Sequence, residues 1–163
     1  EPVWEEKLAE LVPGRRPWDV VAEAVLRPAG LSQTAYYYLD QLPAAAAAGY
    51  TTTNGGELVE NIYAILREGL KPQLFSTAHD LRRLWHALAE GGIISPETAR
   101  ALLEPYRVQG KPDFYQIEGT APGAQVFLAG SLEEARSVIV LSNGEEGVRA
   151  VFEQLITLSG AGR

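Results

Sequence analysis

Cysteine is absent from this chain of 163 residues, which removes disulfides, thiolate nucleophiles and Cys-ligated metals from consideration. The redox compartment stays open, because a secreted protein need not carry disulfides. Positive charge is scarce as well: 14 Lys and Arg stand against 21 Asp and Glu, for a net charge of −7. The basic residues cluster no further than the pairs Arg15-Arg16 and Arg82-Arg83, so a polyphosphate backbone finds no basic stripe and no nucleic acid partner is expected. No run of about 18 apolar residues occurs, and no membrane span is expected either. There is no Gly-x-Ser-x-Gly elbow, Walker loop, dinucleotide fingerprint, His-Glu-x-x-His or EF-hand loop, so those enzyme classes lose their main support, and neither a metal nor a cofactor is called for. The chain opens Glu1-Pro2-Val3-Trp4, with neither a Met nor a basic-then-apolar signal segment, and its beginning reads as a cut end.

What is present is ordinary globular composition, 46% apolar and 21% charged, which argues against extended disorder. A chain of this length can bury roughly 70% of the surface its unfolded form exposes. The pattern predicts one α+β domain over 1–163, with a mainly helical part at 1–105 and antiparallel strands plus a C-terminal helix at 106–163. Trp4, Leu8 and Leu11 fall at helical spacing before Pro13-Gly14. A second helix starts at Pro17 and ends before Pro28, followed by a connector from Arg27 to Tyr36. Asn54-Gly55 predicts a small hairpin between Thr51–Thr53 and Glu57–Val59. The alanine run between Pro43 and Gly49 reads as a short helical turn or tight packing.

Thr77 with Asp80 three residues on makes a capping box before Leu81, Leu84, Trp85 and Leu88, and Gly91-Gly92 closes that helix. Ser95 caps another, which runs to Leu103 and ends at Pro105. Then the character turns to β: Phe114 to Gly119, Gln125 to Ala129 and Arg136 to Ser142, separated by Pro122-Gly123 and by Gly130 to Glu134. Short loops make this an antiparallel three-strand meander. Val138-Ile139-Val140-Leu141 is apolar on both faces and calls for cover on both sides. The final helix, Glu145 to Leu158, sets Val148, Val151, Phe152 and Leu155 on one stripe to supply one cover, with Glu145 and Glu146 suiting its positive end.

Few side chains suggest chemistry. His79 and His86 share one helix face but lie opposite the apolar stripe, so they read as solvated. Adjacent carboxylates such as Glu5-Glu6, Glu133-Glu134 and Glu145-Glu146 diverge in space and cannot act as a glycosidase pair. Glu118, in a strand beside Gly119-Thr120-Ala121-Pro122-Gly123, is either an edge charge that discourages wrong pairing or a carboxylate in a cleft.

The order of segments resembles a known family. Arg27-Pro28-Ala29-Gly30-Leu31-Ser32-Gln33-Thr34, then Leu74 to Leu81, then Gly91 to Thr98, and finally Gly119-Thr120-Ala121-Pro122-Gly123 followed by Val138 to Asn143 are similar to consecutive segments of the serine β-lactamase, DD-peptidase and esterase superfamily, in its class C-like branch. The similarity runs from about Leu11 to about Phe152 and implies the C-terminal part of a β-lactamase-like fold. That family works with a Ser-x-x-Lys nucleophile, a Tyr-x-Asn or Ser-x-Asn element and a Lys-Thr-Gly or His-x-Gly strand. No serine here makes Ser-x-x-Lys, and Tyr50 to Asn54 is too widely spaced for the second element, so this chain holds no catalytic nucleophile.

The third element can be located. Ile117 stands at the family's Lys or His, Glu118 in the middle, Gly119 matches, and the Thr120 backbone N–H takes the position that completes an oxyanion hole. The resemblance thus implies an oxyanion and substrate strand at Ile117, Glu118, Gly119 and Thr120. It also implies a complementary N-terminal portion as partner, pairing with or leaving open the edge of the strand 136–142 and so inviting self-association. A periplasmic or secreted setting would fit the family.

Overall fold

The computed structural model describes residues 3–61 and 71–160. Helix α1 spans Val3–Leu11, though the side chain of Trp4 lies outside the described residues. Helix α2, Pro17–Val21, carries its proline in the first turn and runs directly into a π-helical turn, Ala22–Leu26, that ends at the predicted proline break. The connector hides a strand: β1, Ala35–Tyr37, pairs antiparallel with β4, Gln73–Phe75. The Asn54-Gly55 hairpin is formed by β2, Tyr50–Thr52, and β3, Leu58–Glu60. The alanine run makes a single turn, Ala46 N–H to the Pro43 carbonyl at 2.9 Å, and stays largely exposed.

Helix α3, Ala78–Ala89, begins with Thr77 accepting the Asp80 N–H at 3.1 Å, one half of the predicted box. The other half is absent, because the Asp80 carboxylate turns inward instead. Only 1% exposed, it accepts the Gln33 N–H and the Thr34 hydroxyl, both at 2.7 Å, and pins the connector to the start of α3. Helix α4, Pro96–Leu103, is capped by Ser95 as expected.

The organising unit is the meander β5 (Tyr115–Ala121), β6 (Ala124–Ser131) and β7 (Arg136–Ser142), with β6 in the middle. Alternation gives the sheet two working faces. On one, Tyr115, Ile117 and Leu128 join Trp85, Ala99, Leu103 and Leu132 from the helical side. On the other, Phe127, Ala129, Val138 and Val140 pack beneath helix α5, Val148–Ser159, around Phe152, which is wholly buried. The double cover predicted for β7 is thus present, from α3 on one side and α5 on the other.

Three expectations need correction. Gly130 belongs to the interior of β6 and not to a loop; a Cβ there would meet the Arg136 carbonyl at 2.4 Å and the Trp85 ring at 2.9 Å, so only glycine lets the indole lie on the sheet. The turn proper is Leu132–Ala135, with Ala135 at φ 50. The stripe of α5 is also rotated: Val148, Phe152 and Ile156 point inward, while Val151 and Leu155 are 51% and 40% exposed. Finally, α5 starts at Val148 after Gly147, so Glu145 does not sit in its first turn. Its carboxylate reaches the N–H groups of Thr52 and Gly123, each at 3.4 Å.

Glu145 is part of a junction that ties the β2–β3 hairpin to the far end of the meander. The Asn61 amide donates to the Pro122 carbonyl at 2.7 Å, the Asn143 amide to the Ala48 carbonyl at 2.9 Å, and Tyr50 N–H to the Asn143 carbonyl at 2.9 Å. Backbone meets backbone here, since a Cβ on Gly49 would lie 2.5 Å from the Gly123 carbonyl.

Candidate functional site

The strand β5 is built to be seen from outside. It pairs with β6 in full register, from Tyr115 with Gly130 to Ala121 with Ala124. On its other side the described residues offer only a bridge from Arg107 to Tyr115 and the Val108 N–H bonded to the Phe114 carbonyl at 2.8 Å. From Gln116 to Ala121 that outer edge has no strand partner among the described residues, and an extended ligand could add to it through backbone hydrogen bonds.

The four residues read from the sequence as a site lie in a row on this strand and point alternately to its two faces. Ile117 is half-buried and packs with the cluster around Trp85. Gly119 pairs with Val126, and a Cβ added to it would approach the Val126 side chain to 2.9 Å. Thr120 is exposed and pairs with Gln125, just before the Pro122-Gly123 turn, where Gly123 takes φ 68 and the proline fixes its own φ.

Glu118 is neither an unpaired edge charge nor a free carboxylate in a cleft. Arg149 of α5 reaches over the Phe127 ring, its guanidinium carbon 5.5 Å from the centroid, and grips both carboxylate oxygens, with Nη1 3.0 Å from Oε1. The Gln116 amide adds a third bond at 2.8 Å. The Arg149 hydrogen bond holds the Glu118 carboxyl below its ordinary pKa, with the Gln116 bond acting in the same direction and partial burial opposing. The pair joins β5 to α5 across β6 and sets the rotation of the helix. Sequence spacing could not show it, because 31 residues separate the partners.

The linkage has a sign. A carboxyl whose folded pKa is depressed contributes stability above its unfolded pKa and loses it as pH falls through the folded value. Glu118→Gln should therefore lower Tm at pH 6–7, and the gap from wild type should close as the pH drops below about 4, the ordinary carboxylate range. A gap that is independent of pH in thermal melts would assign the effect to packing alone.

Among the described residues most serine hydroxyls are engaged in structural hydrogen bonds, and that of Ser137 is buried without a partner. Ser131 bonds the Asp113 carboxylate, Ser95 caps α4, and Ser142 and Ser159 bond nearby backbone. A relay runs from Ser76 to Thr34 at 2.8 Å and from Thr34 to Asp80 Oδ2, which also accepts the Gln33 N–H, while Asp80 Oδ1 is buried without a hydrogen-bond partner. His79 lies 3.8 Å from Asp80 with its side chain 63% exposed, as the sequence suggested. His86 is half-buried and not fully exposed as expected: it lines an open groove of about 460 Å³ that follows the start of β7, where the β6–β7 turn covers that part of α3. A second cleft, of about 400 Å³, lies between α2 and β1 and is lined by Trp18, Leu26 and Tyr36 to Tyr38, away from β5. No group of three metal-ligating side chains occurs among the described residues.

The fold has known counterparts. A penicillin-binding protein from Bacillus halodurans matches with a TM-score of 0.71 and 23% identity, over 89% of this chain and 50% of its own. The D-amino acid amidase of Ochrobactrum anthropi, solved with L-phenylalanine, matches at 0.68 and 16%, over 96% and 53%. A D-stereospecific amidohydrolase from a Streptomyces species gives 0.65 and 14%, over 93% and 51%. The chain therefore has a penicillin-binding-protein-like, β-lactamase-like α+β fold and spans about half the length of these structures, consistent with the C-terminal portion that the order of its motifs implies. No protein-family profile matches the chain, and no curated protein matches it.

Proposed function

We propose that residues 1–163 form the C-terminal portion of a β-lactamase-like serine hydrolase acting on an acyl substrate such as a β-lactam, a D-Ala peptide or an ester. The observation that carries this reading is the open outer edge of β5, which lies in a fold shared with penicillin-binding and amidohydrolase structures. A substrate would extend along that edge, and the Thr120 backbone N–H would donate to its developing oxyanion. The nucleophile and the base that activates it would come from a complementary N-terminal portion.

Alone, the chain is then inert. It should turn over neither a chromogenic β-lactam nor a p-nitrophenyl ester above background, because it has no activated nucleophile. Saturable turnover with an acyl adduct on any of its serines would overturn this reading. The reading frame upstream of Glu1 is the companion test. A Ser-x-x-Lys there should take an acylating probe when the longer polypeptide is made.

One observation favours a second reading, a non-catalytic binding module on the same fold. Ile117 supplies no cation where the resemblance asks for Lys or His, and Glu118 is held by Arg149. A longer polypeptide without Ser-x-x-Lys, binding a D-amino acid peptide without cleaving it, would decide for the module.

A further inference from the structure

The dipeptide Asn-Gly occurs twice in this chain, at Asn54-Gly55 and at Asn143-Gly144, and the fold treats the two oppositely. Asn-Gly is chemically labile. With no side chain on the second residue, its backbone nitrogen can swing onto the asparagine Cγ and close a five-membered ring. Ring closure needs an unengaged glycine N–H, a carboxamide free to turn toward it, and a backbone that can rotate about the asparagine ψ.

Asn143 meets none of these needs. Its Nδ2 donates to the Ala48 carbonyl at 2.9 Å, its main-chain carbonyl accepts the Tyr50 N–H at 2.9 Å, and the Gly144 N–H donates to Ser142 Oγ at 3.1 Å. Side chain, main chain and attacking nitrogen are each held.

Asn54 is left free by the turn around it. Between β2 and β3 the Thr53 N–H bonds the Glu57 carbonyl at 2.8 Å, the Gly56 N–H bonds the Thr53 carbonyl at 2.9 Å, and the Glu57 N–H bonds Thr53 Oγ1 at 3.2 Å. Neither Asn54 nor Gly55 takes a positive φ while Gly56 stands at φ 82, so the loop is an ordinary turn over 53–56 closed by a glycine bulge. These bonds skip the dipeptide. Among the described residues neither the Asn54 carboxamide nor the Gly55 N–H has a hydrogen-bond partner, and both residues are exposed. Rotation about the Asn54 ψ breaks only the bond from Gly56 to Thr53, which lies at the surface.

We propose that Asn54 is a modification site that deamidates through a succinimide formed with Gly55, and that Asn143 is spared by the junction that binds it. The Gly55 nitrogen gives its proton to water and attacks Asn54 Cγ; the N–Cγ bond forms, the Cγ–Nδ2 bond breaks and ammonia leaves. Water then opens the ring at either carbonyl to give aspartate or isoaspartate, with no oxidant or reductant consumed. Both products add a negative charge to a hairpin that already carries Glu57 and Glu60, and isoaspartate also lengthens the main chain by one atom inside the loop. The reaction loosens the tip of β2–β3 and leaves its docked end, at Gly49, Tyr50 and Asn61, in place. It is independent of the hydrolase reading, which acylation tests.

The folded 163-residue chain, aged at mildly alkaline pH and then digested, should gain about one dalton on the peptide holding Asn54 about tenfold or more faster than on the peptide holding Asn143. In denaturant the two rates should converge, because the fold alone separates them. Gly55→Ala is tolerated by the turn, since its Cβ would stand 3.7 Å from Thr53 Oγ1, and should slow conversion of Asn54 about tenfold by crowding the attack. Equal rates in the folded chain, or a gap that persists in denaturant, would overturn the proposal, as would an Asn54 that stays unmodified until the chain unfolds.

Discussion

Replacing Trp85 by alanine should cost about 3–5 kcal/mol in a urea titration, within the range for deleting a large buried aromatic. The indole is 2% exposed, lies against Gly130, stands 6.4 Å from the Tyr115 ring and donates Nε1–H to the Ser131 carbonyl at 3.1 Å. Alanine removes that packing and leaves a buried carbonyl without its donor, two losses at one position. The neighbouring His86→Ala should change stability by no more than about 0.5 kcal/mol, because the imidazole only lines an open groove. Comparable losses for the two would mean that α3 presents a different face to the sheet.

Asp80→Ala should be nearly as damaging, about 3 kcal/mol, by leaving the Gln33 N–H and the Thr34 hydroxyl without their acceptor. The damage should be local in origin: exchange of the Gln33 amide proton should speed up before that of the meander. Asp80→Asn keeps an acceptor oxygen of similar shape and should recover part of the loss. If Asn proves as destabilising as Ala, the negative charge matters more than the two hydrogen bonds.

These two residues also show how far the sequence could be read. Trp85 was legible because Leu81, Leu84, Trp85 and Leu88 recur at helical spacing, and the burial of one face follows from that period. Asp80 was legible only as a cap, since its inward bonds reach 46 and 47 residues back, to a connector without periodicity. The same limit hid β1 and β4, whose three residues each are too short to show alternation and which find each other only in the folded chain. Gly130 looked like loop punctuation because the reason for its missing side chain is the Trp85 ring, far off in sequence. At the candidate site, the strand and the order Ile117 to Thr120 were legible from motif order and the Pro122-Gly123 turn. The state of Glu118 was not, because its charge is answered by a helix three elements further along the chain.

The junction of Gly49, Asn61, Gly123, Asn143 and Glu145 bears on the order of assembly. Its bonds close loops of 61 residues between Asn61 and Pro122, 93 between Thr52 and Glu145, and 95 between Ala48 and Asn143. Loops of that length carry a closure entropy that the short β5–β6 and β6–β7 turns avoid. The meander can therefore nucleate locally while the β2–β3 hairpin docks afterwards, onto a surface that exists only once Pro122-Gly123 has turned. Interactions made after the rate-limiting step act on the escape rate from the native state and leave the folding rate nearly untouched. This junction is thus a latch: it governs how long the hairpin stays docked on the folded sheet, with little influence on how quickly the sheet forms.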